Sequence, residues 1–417
     1  MKDTLGVLLA GGAGERLYPL TRDRAKPAVA FGGNYRIIDV TLSNCINSDL
    51  RKVYILTQYK ALSLNRHIRE GWSSAVAREL GEFIEILPPM KRVSDNWYLG
   101  TADAVYQNIY SIGSEQPRHV LILSGDHIYK MNYQLMLDHH RASGADVTLA
   151  TILIDPSESF RFGVMEIDRH GQITGFEEKP TTTRLRSPYN PEMVSGSMGV
   201  YVFNTDVLLP VLLKDAEDPD SSHDFGKDIL PKILEHYKLY SYNFIDENKK
   251  EALYWRDVGT LEAFYEANMD LVAVSPVFNL YDKDWPLRTT QRQYPPAKFV
   301  FGEPGRTGMA VDSIVSSGCI LSGGVVRKSV ISPDVRVNSY TEVEDSIIFS
   351  HVNIGRHCRI RRAIIDRDVH IPEGTIIGFD PEEDARNYMV TETGITVVTR
   401  DYSLFESPVA VDYFTSE

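Results

Sequence analysis

A seventeen-residue period over the last third of the chain constrains the fold more than any other feature. Ile314, Ile331, Ile348 and Ile365 are spaced by 17, as are Ile320, Val337, Ile354 and Ile371, and Val326, Val343, Ile360 and Ile377. Within a turn the steps are 6 and 6, leaving 5 to close it. Ser313, Val330, Ile347 and Ile364 run in a fourth register. All twelve positions of the first three rows are Ile or Val. Branched apolar residues returning at so short a fixed period describe a coil with three faces per turn, each face pointing one side chain inward. Stacked coils bury a continuous aliphatic column, which is a parallel β-helix. A β-sandwich would bury as much, but its strands do not hold a fixed period. The pattern predicts four turns over about 314–377, within a domain of residues 299–417.

The chain ahead of the repeat reads differently. Leu5–Ala10, Val53–Thr57, Val120–Ser124 and Val147–Ile154 are apolar runs of strand length; Ile38–Ile46, Thr101–Ile112, Asn132–Arg141 and Phe225–Tyr237 carry helical periodicity. Alternation of this kind predicts an α/β domain with a mostly parallel sheet over residues 1–274. In such a sheet ligands bind at the carboxyl ends of strands. Residues 275–298, rich in Pro, Asp and aromatics, read as a linker. Two domains suit 417 residues, which exceed one ordinary core.

Charge and cysteine content narrow the function classes. A net charge of −13 argues against a nucleic-acid binder, which needs basic surface, but leaves room for a cationic pocket that takes nucleotides. The apolar run near the start is too short to span a membrane and lacks the basic start and cleavage pattern of a signal peptide. Three widely spaced cysteines (Cys45, Cys319, Cys358) suit a reducing cytosol and argue against zinc. The chain is therefore expected in the cytoplasm, without nucleic-acid or membrane partners.

The first strand ends in Gly11-Gly12-Ala13-Gly14-Glu15-Arg16. Glycines let backbone N–H groups approach a phosphate, and Arg16 and Lys26 can reach one polyphosphate. A tight turn alone would use the same glycines. Asp126 follows the strand Val120–Ser124, where a metal carboxylate belongs, although an Asp there also forms turns and caps helices.

Residues 10–29, AGGAGERLYPLTRDRAKPAV, resemble the signature of sugar-nucleotide pyrophosphorylases. FGGNYRIID, WYLGTADAV, GDHIYKMNY, FEEKP, SMGVYVF, HDFGKDILP and YWRDVGT, in that order, are similar to the glucose-1-phosphate adenylyltransferase branch. The resemblance covers nearly the whole chain. It implies a Rossmann-like nucleotidyltransferase domain followed by a left-handed β-helix, the handedness coming from the resemblance alone. It implies adenylyl transfer from ATP to glucose 1-phosphate, giving ADP-glucose, a glucosyl donor for glycogen or starch-like polymers, and pyrophosphate. Asp126 and Asp257 would hold Mg2+, with Arg16 and Lys26 completing the catalytic set. Gly11, Gly12, Gly14, Gln58, Trp97, Tyr98 and Gly100 would contact ATP, with Trp97 and Tyr98 on a loop that closes over it. Glu178, Lys179, Ser197, Tyr201, Asp224 and Trp255 would hold glucose 1-phosphate, although Tyr201 and Trp255 equally suit core packing. His127 is set aside as structural, because a phosphate monoester is already anionic at neutral pH.

The resemblance further implies a homo-oligomer, a tetramer, regulated by anionic metabolites that Arg24, Arg36 and Arg367 would hold between the domains. Ordinary surface arginines would look the same. Glu15 departs from the pyrophosphorylase signature, Asp23 and Ala30 depart from the pattern of enteric relatives, and the acid at 23 would weaken binding of a bisphosphate. Rival readings are a UDP-, dTDP- or GDP-sugar enzyme, a β-helix acyltransferase using His351, His357 or His370, and a non-catalytic regulatory subunit. The last should lose key cations or acids, yet Arg16, Lys26, Asp126, Lys179 and Asp257 are all present.

Overall fold

The computed structural model describes residues 1–12, 14–89, 97–244 and 254–400. The first domain is built on a nine-stranded sheet. Phe83–Leu87, Lys52–Thr57, Thr4–Ala10 and His119–Ser124 run side by side and parallel. The near-continuous apolar content of the last three fits strands covered on both faces, while Glu85 is exposed on the edge strand Phe83–Leu87. Beyond them the sheet turns antiparallel. Val194–Asn204 pairs with both His119–Ser124 and Val147–Ile154. At its start it also pairs with Gly163–Ile167, which pairs in turn with Ile173–Glu178.

Val194–Asn204 is the strand that shapes one side of the site. Its register against Val147–Ile154 slips between Ser197 and Tyr201, and Gly199 sits there at φ 69. A bulge of this kind re-aims side chains and is favoured beside active sites. Here it lets one strand leave Gly163–Ile167 and join His119–Ser124.

Two helices differ from the periodicity. The segment expected as one helix over Thr101–Ile112 is two, Thr101–Tyr106 and Ile109–Ser114. The Asn108 side chain donates to the Ala104 carbonyl at 2.8 Å and to the Tyr98 hydroxyl at 3.0 Å. A short amide side chain that competes for backbone partners breaks the ladder. The segment Phe225–Tyr237 is a wide π turn, Phe225–Ile229, followed by one α turn, Leu230–Ile233. Pro231 lacks the N–H that a longer regular helix would use.

The repeat folds into a parallel β-helix of three sheets, but the register of its first coil is corrected. Leu321, not Ile320, pairs with Val337, and Val315, not Ile314, pairs with Ile331. Ala310 aligns with Val326 in the third sheet. The first coil is thus one residue shorter than the later ones, and the missing residue falls at Gly323-Gly324. A Cβ on Gly324 would lie 2.7 Å from Val337 Cγ1 and 2.8 Å from the Asn338 carbonyl, so only glycine closes that corner tightly. Other corners use left-handed backbone at Lys328, Asp345 and Arg362, at Asp334, His351 and Asp368, and at Tyr340 and His357. The last coil is completed by Thr396–Val398, which pairs with Ala363–Ile365 after a short helix, Pro381–Asn387.

The domains share a core. Leu261, Phe264 and Val258 of the first cluster with Ile347, Phe349, Ile364 and Val397 of the second. Phe264 meets Phe349 edge-on at 6.2 Å. Burial of these apolar faces, at roughly 25 cal/mol per Å², makes the β-helix a fixed wall beside the catalytic domain.

Candidate active site

The parallel strands end together, and their carboxyl ends frame a cavity of about 400 Å³. Gly11, Gly12, Lys26, Gln58, Tyr98, Gly100, Asp126 and Asp224 all line it. Gly14 adopts φ 68 and packs where a Cβ would lie 3.0 Å from Lys26 Cβ, which brings the glycine loop against the lysine. Gly11 abuts Gln58 in the same way.

Asp126 and Asp257 are far apart in sequence. They meet because His127–Tyr129 and Trp255–Asp257 form a two-stranded antiparallel ribbon in which Asp257 faces His127. Lys26 Nζ lies between the carboxylates, 2.7 Å from Asp126 and 3.1 Å from Asp257. Ser124 also donates to Asp126. Burial alone would raise the Asp126 carboxyl, but the Lys26 ammonium, His127 and these hydrogen bonds outweigh it and hold the group far below the usual carboxylate range. Burial likewise works against the Lys26 charge, and the two aspartates overcome it, so its pKa is raised. Arg16 Nη2 is 3.9 Å from Asp257 and its side chain is largely exposed.

Ligand atoms of Asp126, His127 and Asp257 all lie within 4.8 Å of one another. Two ionised carboxylates offer the hard oxygen donors that Mg2+ prefers, so the residues fit that ion. His127, set aside on the sequence, belongs to this cluster: its Nε2 is 3.5 Å from Asp126 and its buried Nδ1 has no hydrogen-bond partner among the described residues. A His directly after a strand-end Asp was the available signal.

The expected sugar residues gather on the other side. Tyr201 is buried against Phe225, and its hydroxyl is 3.4 Å from Ser197 Oγ. Burial pushes the Tyr201 phenol up, with Asp224 and Glu178 close enough to add to the shift. Glu178 lies where a Cβ on Gly226 would be 2.6 Å from its carboxylate. Lys179 pairs with Glu178 at 2.8 Å and holds φ 46, with an exposed side chain. Trp255 packs at a tilt against His127 and Phe162, and its buried indole N–H has no hydrogen-bond partner among the described residues. Asp224 is also a helix cap: it accepts Gly226 N at 2.9 Å and Lys227 N at 3.1 Å, and takes Thr101 Oγ1 at 2.9 Å. Trp97 stays outside the cavity, exposed and stacked on Tyr59 at 5.1 Å. Residues 90–96 of the expected closing loop lie outside the described residues.

The three interdomain arginines are not equivalent. Arg24 is 5% exposed and bonds both oxygens of Asp366. Arg36 donates to Ser63 O at 2.9 Å at the start of the helix Leu62–Gly71. Burial lowers the Arg36 pKa to about 10; Asp39 opposes that, and the charges of Arg24, Arg367 and Arg292 add to it. Arg367 Nε lies 3.8 Å from Asp368 and makes no hydrogen bond among the described residues. Arg292 is a member that motif matching missed. Asp23 pairs with Arg22 at 3.2 Å rather than with this cluster.

No helix among the described residues is long and apolar enough to cross a membrane. Residues 5–273 match the model of the nucleotidyl transferase family, and residues 295–398 match a GlmU-like C-terminal hexapeptide model. The chain is 78% identical to a glucose-1-phosphate adenylyltransferase of Koribacter versatilis across the full length of both. It is 55% identical to the Rhodopirellula baltica protein of that name, over 99% of this chain and 93% of the relative. With the one from Shewanella oneidensis it shares 53% identity over 96% of this chain and 95% of the relative. The chain belongs to the glucose-1-phosphate adenylyltransferase family of nucleotidyltransferases.

Proposed function

We propose that the protein transfers the adenylyl group of ATP to glucose 1-phosphate, yielding ADP-glucose and pyrophosphate. The observation that carries this reading is the cationic and carboxylate cluster at the strand ends, Lys26 between Asp126 and Asp257, opening on a cavity that reaches Asp224. Both reactants are polyanions. Arg16 and Lys26 offset their mutual repulsion, and the glycine loop adds backbone donors. Asp126 and Asp257 would hold Mg2+, which supplies charge screening and Lewis acidity at the reacting phosphates. Lys179 takes the phosphate of the sugar, while Glu178 and Asp224 accept its hydroxyls and Trp255 Nε1 donates to one. The phosphate oxygen needs no protein nucleophile. Assays of pyrophosphate release with glucose 1-phosphate and each of four NTPs test the reading; a preference for UTP or dTTP would overturn it.

The same reading extends to regulation. An anionic metabolite binds among Arg36, Arg292 and Arg367, whose mutual repulsion it relieves. Arg36 holds the start of Leu62–Gly71, which follows Gln58 and Tyr59 of the nucleotide side, so the anion shifts that segment. The β-helix offers flat sides, with Phe299, Val311 and Ile376 exposed, for assembly into a tetramer. The protein works in the cytosol, in keeping with its three free buried cysteines.

A further inference from the structure

The nucleotide and sugar walls of the cavity meet at a histidine that lines neither. His223 adopts φ 56, a left-handed conformation that is uncommon for a non-glycine residue. Its carbonyl accepts Ala102 N at 2.8 Å and Asp103 N at 3.3 Å, which fixes the start of the helix Thr101–Tyr106. Gly100 packs so tightly on it that a Cβ there would lie 2.2 Å from the same oxygen. The next residue, Asp224, takes Thr101 Oγ1, which accepts Phe225 N at 3.0 Å. Gly100 and Thr101 on one wall and Asp224 on the other are therefore joined through residues 223–225.

The conformation is enforced from behind. The His223 ring shares a hydrogen bond with Asp215 through Nδ1, at 2.8 Å. Asp215 is buried near the end of the helix Thr205–Ala216 and also accepts Ser221 Oγ at 2.7 Å and Lys232 Nζ at 3.4 Å. Ser221 Oγ in turn accepts His223 N at 3.0 Å. A rigid helix thus sets where the His223 carbonyl points.

We propose that His223 and Asp215 are a positioning pair that sets the separation between the ATP loop and the sugar-binding segment, and so aligns the two substrates for in-line attack. The proposal rests on the adenylyl-transfer reading. Neither residue touches substrate; both act through the His223 carbonyl and Asp224. Small misplacement of one reactant against another is enough to cost about 100-fold in rate.

The test compares His223→Ala, His223→Asn and Asp215→Asn with the unaltered enzyme. Binding of ATP alone, glucose 1-phosphate alone and ADP-glucose, which spans both walls, is measured by calorimetry beside turnover. In His223→Ala the expected result is a 10- to 100-fold loss of kcat. ADP-glucose affinity falls at least 10-fold, while each single substrate loses less than threefold. Asn tolerates left-handed backbone and can donate to Asp215, so His223→Asn should recover most of both losses; Asp215→Asn should resemble His223→Ala in smaller degree and serves if that variant does not fold. Equal losses for all three ligands, unchanged ADP-glucose affinity, or no rescue by Asn would overturn the proposal. If the unaltered enzyme itself neither binds ADP-glucose nor uses ATP, the adenylyl-transfer reading fails instead.

Discussion

Arg24 of the catalytic domain reaches across to Asp366 of the β-helix and bonds its two carboxylate oxygens at 2.9 and 2.6 Å. Both side chains are at least nine-tenths buried. Such a pair adds less through its own attraction than it removes when one partner is lost, because the survivor is left charged and dry. Asp366→Ala should therefore cost about 3–5 kcal/mol in denaturant unfolding, and added sulfate should restore more stability to this variant than to the unaltered protein. Unchanged stability would show that the contact is not buried in solution.

Asp126→Asn removes a charge that faces both Lys26 and the Asp126–His127–Asp257 cluster proposed to hold Mg2+. Turnover should fall by roughly 1000-fold or more with circular dichroism unchanged. A variant within a few-fold of the starting rate would take Asp126 out of the reaction.

Lys179 is exposed and its nearest anion is Glu178. A lysine that meets the sugar phosphate in ground and transition states alike gives uniform binding. Lys179→Ala should raise the KM for glucose 1-phosphate about 10- to 100-fold and leave that for ATP within twofold. Parallel rises in both would assign it a structural role.

His119 is buried beside His140, and its pKa falls from 6.5 to about 4, chiefly through burial, with His140 and Arg141 adding to it. Between those values the unfolded chain binds a proton that the folded chain refuses. Stability should therefore decline as pH drops from 6.5 towards 4 and level off below, by no more than about 3 kcal/mol from this group. His119→Gln should flatten that slope in melting curves taken across the range.

Arg367→Ala should blunt the response to an anionic effector while shifting turnover without effector by less than about twofold. An activation curve that overlays that of the unaltered enzyme would separate Arg367 from regulation.

Much of the architecture was legible because it rests on periodicity. The Ile and Val rows demanded an inward column, and apolar runs ending in Gly-rich or Asp-bearing turns marked the strand ends where the cavity lies. The register of the first coil was not legible. Ile314 and Ile320 satisfy the period, Val315 and Leu321 fall one residue off it, and only the tight corner at Gly324 moves the pairing to the latter. The split of Thr101–Ile112 was hidden for a related reason: apolar spacing does not report what an Asn side chain will hydrogen-bond.

By itself the chain determined its two kinds of domain, its glycine loop at the end of the first strand and the residue types that line the cavity, since period, glycine and charge act over short stretches of sequence. Tertiary structure alone decided which distant groups share charge. It placed Lys26 between Asp126 and Asp257, brought His127 into that cluster, tied Arg24 to Asp366, and set His223 between the two walls of the cavity. Those outcomes depend on ribbon pairing, domain packing and the desolvation that gives each charge its strength, and none of these is a property of local sequence.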